Sequence, residues 1–193
     1  MFSRHNRVSP QKTFSGTFYD ETYFTNMAPV NRQMFRESCG RRLHPHRLYY
    51  VELMDLEPGM KVLDLGCGAG EVLMHCALER GIEGWGIDYS NAAIQLAEEL
   101  KKLLPLDIQT RVQFHLGDCT ELGIFPDGFF DRALSFSSIE HLYDWQIERM
   151  LAKSTGCFVM MVYSLSNPTP IGMLSVWPGH WHGGYFICWL AMN

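Results

Sequence analysis

Val62-Leu63-Asp64-Leu65-Gly66-Cys67-Gly68-Ala69-Gly70 begins as a short apolar run, meets an acid, and then sets three glycines at alternate positions. A helical pattern starts directly after it. A strand that stops in a glycine turn and feeds a helix N-terminus lets a nucleotide-like ligand approach the backbone without meeting a Cβ. The dinucleotide-binding fingerprint requires its third glycine three positions after the second. Here that position is Glu71, and the third glycine comes two positions after the second. A carboxylate there disfavours a pyrophosphate, so the turn suits a nucleoside without phosphates.

Outward from this turn, Pro58-Gly59 makes a turn before a strand at about 61–65. Val72, Leu73, Cys76 and Leu78 fall at roughly helical spacing over about 69–80, and Gly81 stands where a C-cap glycine belongs. Gly84-Trp85-Gly86-Ile87-Asp88 reads as a second strand ending in an acid. Ser90 reads as the N-cap of a helix over about 91–104, with Ile94, Ala97, Leu100 and Leu104 along one side. Further strands are expected at Arg111–Leu116, Asp131–Phe136 and Cys157–Leu165. Strands alternating with helices imply right-handed crossovers and a mainly parallel sheet covered on both faces, with ligands at the carboxyl ends of the strands.

The Asp64-x-Gly66-x-Gly68-x-Gly70 pattern resembles the first motif of class I S-adenosylmethionine-dependent methyltransferases, and four further stretches extend the resemblance over about residues 19–165. The implied fold is α/β: a Rossmann-like, doubly wound, mainly parallel sheet with helices on both faces and a shortened C-terminal part. The implied cofactor is S-adenosylmethionine, with S-adenosylhomocysteine as product. Asp88, eighteen residues after Gly70, resembles the acid that accepts both ribose hydroxyls, a charge-assisted pair. Tyr89 would then lie against the adenine or ribose. Taken alone, Asp88 would equally suit a helix N-cap. The stretch Phe114-His115-Leu116-Gly117-Asp118-Cys119-Thr120 resembles the family's adenine motif. It implies that the Asp118 side chain meets the N6 amine and the Cys119 backbone a ring nitrogen. Out of that context Asp118 is an ordinary turn acid.

Phe130 to Leu142 resembles the family's fourth strand and following loop. The backbone near Ser135 would meet the methionine part of the cofactor, and Asp64 its ammonium end, directly or through water. Gly66, Cys67, Gly68 and Gly70 complete the expected cofactor contacts. His141 is the candidate general base, needed only if the acceptor must lose a proton. The alternative is that the Glu140-His141 pair packs or holds the loop. Relatives that bind a metal there use Glu-x-x-Glu-His, and the first glutamate position is Ser137 in this chain. His44-Pro45-His46 and His180-Trp181-His182 form no complete ligand set, so no metal is expected. Tyr19-Asp20-Glu21-Thr22-Tyr23-Phe24 resembles an aromatic lid over the cofactor, where Tyr19 and Tyr23 would face a sulfonium by cation–π attraction. It reads equally as a surface segment whose rings pack on the core.

The chain has 193 residues, 47% of them hydrophobic and 19% charged, values of an ordinary globular domain. The expected organisation is a mobile arm at 1–18, a lid and helix at 19–57, the cofactor-binding core at 58–165 and an uncharged tail at 166–193. Leu48, Val51, Leu53 and Leu56 mark the helical spacing before the core. The net charge of −5 argues against a nucleic-acid partner. No apolar core follows the first charges and no window has eighteen uninterrupted apolar residues, so neither signal peptide nor membrane span is expected. Six scattered cysteines without a Cys-x-x-Cys pair suggest reduced thiols and a cytoplasmic setting.

All 37 charged residues precede position 154. The turn before the fifth strand, Lys153-Ser154-Thr155-Gly156, departs from the family's Lys-Pro-Gly-Gly. Met173–Trp177 and Tyr185–Leu190 could form the family's antiparallel pair, but no stretch long enough for the usual helix precedes them. The tail reads as a shortened variant or an altered reading frame, and could support oligomerisation. The resulting expectation is in-line methyl transfer to a small-molecule acceptor. The alternative is a catalytically inactive cofactor-binding partner or regulatory subunit.

Overall fold

The computed structural model describes residues 22–23, 29–119, 121–136, 158–163, 170–178 and 185–190. The turn that opened the sequence sits at the middle of the sheet. β1 (Lys61–Leu65) lies parallel between β2 (Glu83–Asp88) and β4 (Arg132–Phe136). β3 (Val112–Leu116) pairs parallel outside β2, and β5 (Phe158–Tyr163) parallel outside β4. The order is β3-β2-β1-β4-β5-β6-β7, so chain direction across the sheet reverses between β1 and β4. Ligands bind at such a switch point because the two sets of crossovers leave a crevice outside the strand ends.

Because successive strand side chains face opposite ways, β1 feeds two cores. Val62 joins Leu73, Met74, Leu134 and Val112 on one side. Leu63 and Leu65 join Trp85, Ile87, Phe130 and Ala133 on the other. Asp64 shares the Val62 parity and therefore faces the helical layer built on that side.

That layer contains α1 (Pro29–Glu37), α2 (Pro45–Leu53) and α3 (Glu71–Arg80). Every residue of α3 from Glu71 to Ala77 is buried, and Gly81 caps it in the left-handed region at φ 71°, as its position predicted. α4 (Asn91–Lys101) starts at Ser90, whose hydroxyl accepts from the Ala93 N–H. It ends three residues before the expected boundary, and a four-residue helix, α5 (Leu106–Gln109), follows. The buried side of α4 runs through Ala93, Ala97 and Leu100, with Ile94 only partly covered. α1 was not foreseen. Its hydrophobic contribution rests on the fully buried Phe35, set among Asn31, Arg32, Gln33, Arg36 and Glu37, too sparse an apolar face to signal a helix.

The C-terminal strands return antiparallel. β6 (Pro170–Pro178) pairs with β5 and with β7 (Tyr185–Leu190), as the Met173–Trp177 and Tyr185–Leu190 pairing predicted. Only six residues separate β5 from β6. A parallel connection needs a dozen or more, so this length leaves only the antiparallel return. The prolines stand at the two ends of β6, where a missing N–H interrupts the ladder least. Among the described residues no helix is long and apolar enough to cross a membrane.

Candidate cofactor site at the strand ends

The glycine turn is held from the neighbouring strand. Gly66 and Cys67 N–H groups both donate to the Ile87 carbonyl, at 2.8 and 3.1 Å. Gly66, Gly68 and Gly70 have φ of 72°, 53° and 71°, so every second residue of the turn lies in the region that side-chain-bearing residues avoid. A Cβ at Gly70 would also collide with the Phe114 ring from β3. The alternate glycines therefore answer a repeated left-handed turn packed against an aromatic floor.

Asp88 closes that turn. Its Oδ2 accepts from the Gly68 N–H at 2.9 Å, and its Oδ1 accepts from the Ser90 N–H at 2.9 Å. Burial pushes its pKa up, while N–H groups of Ser90, Gly68 and Tyr89 oppose the shift by stabilising the carboxylate. Thus Ser90, and not Asp88, supplies the N-cap of α4. Tyr89 stands beside it, 43% exposed.

The β2–β3 register sets Asp88 opposite Leu116, and the Gly117 N–H donates to the Asp88 carbonyl at 2.9 Å. Asp118 and Cys119 thereby follow the next strand end along the same rim. Asp118 is exposed. Burial, and then the charges of Asp118 and Asp88, push the Cys119 thiol up to about 12, so it is a neutral thiol at ordinary pH. On the other side of β1, Ser135 is 1% exposed and its hydroxyl donates to the Leu65 carbonyl at 3.1 Å. Tyr23 is partly buried. Tyr19 and His141 lie outside the described residues.

A second charge system, which the sequence reading missed, covers the same turn. Glu71, the first residue of α3, is 4% exposed. Its two carboxylate oxygens face Arg32 Nε of α1 at 3.8 Å and Arg47 Nη1 of α2 at 3.4 Å. The Asn31 side chain ties α1 to α2 by accepting from the His44 N–H at 3.0 Å. His75 Nδ1 donates to the Gly40 carbonyl at 2.9 Å, fastening the α1–α2 connection to α3. Partners 24 and 39 positions apart have no local signature. The one hint was a glutamate at the head of an otherwise buried helix.

Asp64 lies under this cover, 3% exposed, and its Oδ1 has no hydrogen-bond partner among the described residues. Burial pushes its pKa up to about 8; Arg47 opposes the shift, while Asp88 and Glu71 add to it. A buried acceptor without a donor is costly unless a ligand supplies one. The strand ends therefore present a buried acceptor, a backbone-braced carboxylate and an exposed carboxylate in series. That donor and acceptor set fits a nucleoside joined to an amino-acid end. Among the described residues no group of His, Cys, Asp and Glu could hold a metal.

Comparison with known proteins agrees with this geometry. Residues 56–166 match a family described as methyltransferase domain. Ajmaline N-methyltransferase of Rauvolfia serpentina is 36% identical over 53% of this chain and 35% of that protein. Norajmaline N-methyltransferase of the same plant is 30% identical over 69% of this chain and 47% of that protein. The chain thus spans less than half the length of these curated relatives. A solved structure of the S-adenosylmethionine-dependent methyltransferase from Geobacter sulfurreducens, in complex with S-adenosylhomocysteine, superposes with a TM-score of 0.52 at 29% identity. It aligns over 71% of this chain and 57% of its own. The matched residues 56–166 carry β1 to β5 and the glycine turn, and this chain belongs to the class I S-adenosylmethionine-dependent methyltransferase family.

Proposed function

We propose that this chain binds S-adenosylmethionine along the ends of β1 to β4 and directs its methyl group to a small-molecule acceptor. The observation that carries the reading is the bond from Gly68 N–H to Asp88 Oδ2. It joins the left-handed glycine turn to a buried strand-end carboxylate; Asp64 lies on the neighbouring β1, and Asp118 follows the end of β3 on the other side. The ajmaline and norajmaline relatives support a small acceptor.

In this reading Asp88 accepts the ribose hydroxyls with the lone pairs that Gly68 and Ser90 leave free. Asp118 and the Cys119 backbone take the adenine edge, and Tyr89 covers the ring or ribose. Gly66, Cys67, Gly68 and Gly70 provide close backbone. Asp64 takes the ammonium, and the Ser135 segment lies along the methionine chain. Tyr19 and Tyr23 belong to the lid, and His141 is the general base for an acceptor that must be deprotonated. When bound, the cofactor supplies a methyl group made electrophilic by its sulfonium. The protein's part is to align the acceptor behind that methyl and keep water out. The domain reading stays with this proposal: an arm at 1–18, a lid and helix at 19–57, the core at 58–165 and the tail at 166–193.

Calorimetric titration with S-adenosylmethionine, S-adenosylhomocysteine and NADH, beside Asp88→Ala, tests the reading. The expected result is micromolar binding of the first two, weakened at least tenfold by the substitution, a loss of about 1.4 kcal/mol. A folded protein that binds neither, or binds NADH instead, would overturn it. Binding with no transfer to any amine, hydroxyl or thiol acceptor would assign the inactive-partner role.

A further inference from the structure

We propose that the ligand-free protein holds Asp64 as a neutral carboxyl, and that capture of the cofactor's ammonium ionises Asp64 and releases one proton to solvent. The inference rests on the cofactor reading above and adds a linked proton to it.

Charged groups from α2, α3 and β2 surround the buried Asp64. Asp64 stands on the interior strand β1, flanked in register by Gly86 and Leu134, neither of which brings a charge. From α3 comes the carboxylate of Glu71 and the neutral thiol of Cys76, whose pKa burial raises far above its ordinary value. From β2 comes Asp88 and from the turn the thiol of Cys67, which burial also raises. The cation that acts on Asp64 is Arg47 of α2. Its guanidinium is already engaged by Glu71 at 3.4 Å, and Arg32 is held near the same Glu71.

Three carboxylates therefore share two guanidiniums, both committed to one of them. Among the described residues, Asp88 accepts from backbone N–H groups and Glu71 pairs with two arginines, whereas Asp64 Oδ1 has no hydrogen-bond donor. It is the group on which the uncompensated charge falls, and neutralisation by a proton is the least costly answer to burial. An ammonium ligand replaces that proton. The neutral carboxyl of Asp64 and the ligand's ammonium become a carboxylate–ammonium ion pair and one free proton. The O–H bond of the carboxyl breaks, its electron pair stays on the carboxylate, and the proton goes to buffer. No bond to carbon changes.

The test is calorimetry of S-adenosylhomocysteine binding at pH 7 in buffers of different ionisation enthalpy, comparing the wild-type chain with Asp64→Asn. At pH 7 the free ligand's amine is already protonated, so proton release by the wild-type chain beyond that of Asp64→Asn reports Asp64. A folded-state pKa of about 8 gives a difference of about 0.9 proton at pH 7. No difference between the two proteins would overturn the inference while leaving the cofactor reading intact. Absence of binding to the folded wild-type chain would sink both. An independent arm needs no ligand: carboxyl carbon NMR of the ligand-free chain, with Asp64→Asn for assignment, should show Asp64 titrating near pH 8. A midpoint at the ordinary aspartate value would overturn the inference even if the substituted protein bound too weakly for calorimetry.

Discussion

Asp64 and Asp88 stand near the ends of adjacent parallel strands and are buried to a similar degree, at 3% and 7% exposure. Their surroundings separate them. Asp88 receives N–H groups from the glycine turn and from the start of α4, so its charge is spread into backbone dipoles. Asp64 lies beneath α2 and α3, where Arg47 is shared with Glu71 and Oδ1 meets no donor among the described residues. Burial by itself therefore does not decide the state of a carboxylate. The number of donors brought to it does. Around Asp88 the turn is braced by backbone N–H groups, and in the proposed site Asp64 is the acceptor left for a ligand's donor.

Three substitutions break or sharpen this contrast. Gly70→Val attacks the turn that both acids share. It forces a β-branched residue to φ 71° and drives its side chain into Phe114. A loss of about 3 kcal/mol is expected in urea unfolding, combining backbone strain with overpacking. A loss below about 1 kcal/mol would mean that the turn can relax and that its preorganisation is weak.

Asp64→Asn addresses the amino-acid end through pH. The folded-state pKa of about 8 stands above the unfolded value of 3.8, so the folded protein holds an extra proton between those limits. Stability from this group is fully present below about pH 4, falls as pH rises, and levels off above about pH 8, with a slope on the order of 1 kcal/mol per pH unit. Thermal melts between about pH 6 and 8.5 should show wild type losing stability relative to Asp64→Asn. Parallel curves would place Asp64 in the same compensated class as Asp88.

Ser90→Ala probes the other end with a milder change. It deletes the hydroxyl that accepts from the Ala93 N–H while sparing the Ser90 N–H that serves Asp88. The expected cost is about 1 kcal/mol of stability, typical of a lost N-cap. S-adenosylhomocysteine affinity should change less than threefold. A larger loss would show that α4 docking, and not the backbone bond alone, orients Asp88.

Much of the region around the glycine turn and Asp88 was legible because its information is local. The limits of β1, the Gly81 cap, the Ser90 cap and the placement of Asp88 at the close of β2 each follow from a few consecutive residues. The antiparallel closing strands were expected from the family resemblance, and the short link between β5 and β6 accounts for them because it leaves no room for a crossover. The cover over Asp64 was not legible. α1 has a thin apolar face, and the Glu71 pairs with Arg32 and Arg47 join segments that no spacing rule connects.

The amino-acid sequence by itself determined the α/β order, the glycine turn and the strand-end acids, because backbone conformation and side-chain alternation depend on neighbours along the chain. Only the tertiary structure decided what each acid becomes. Desolvation and Coulomb interaction depend on groups near in space, and around Asp64 those groups come from α2, α3 and β2 at once.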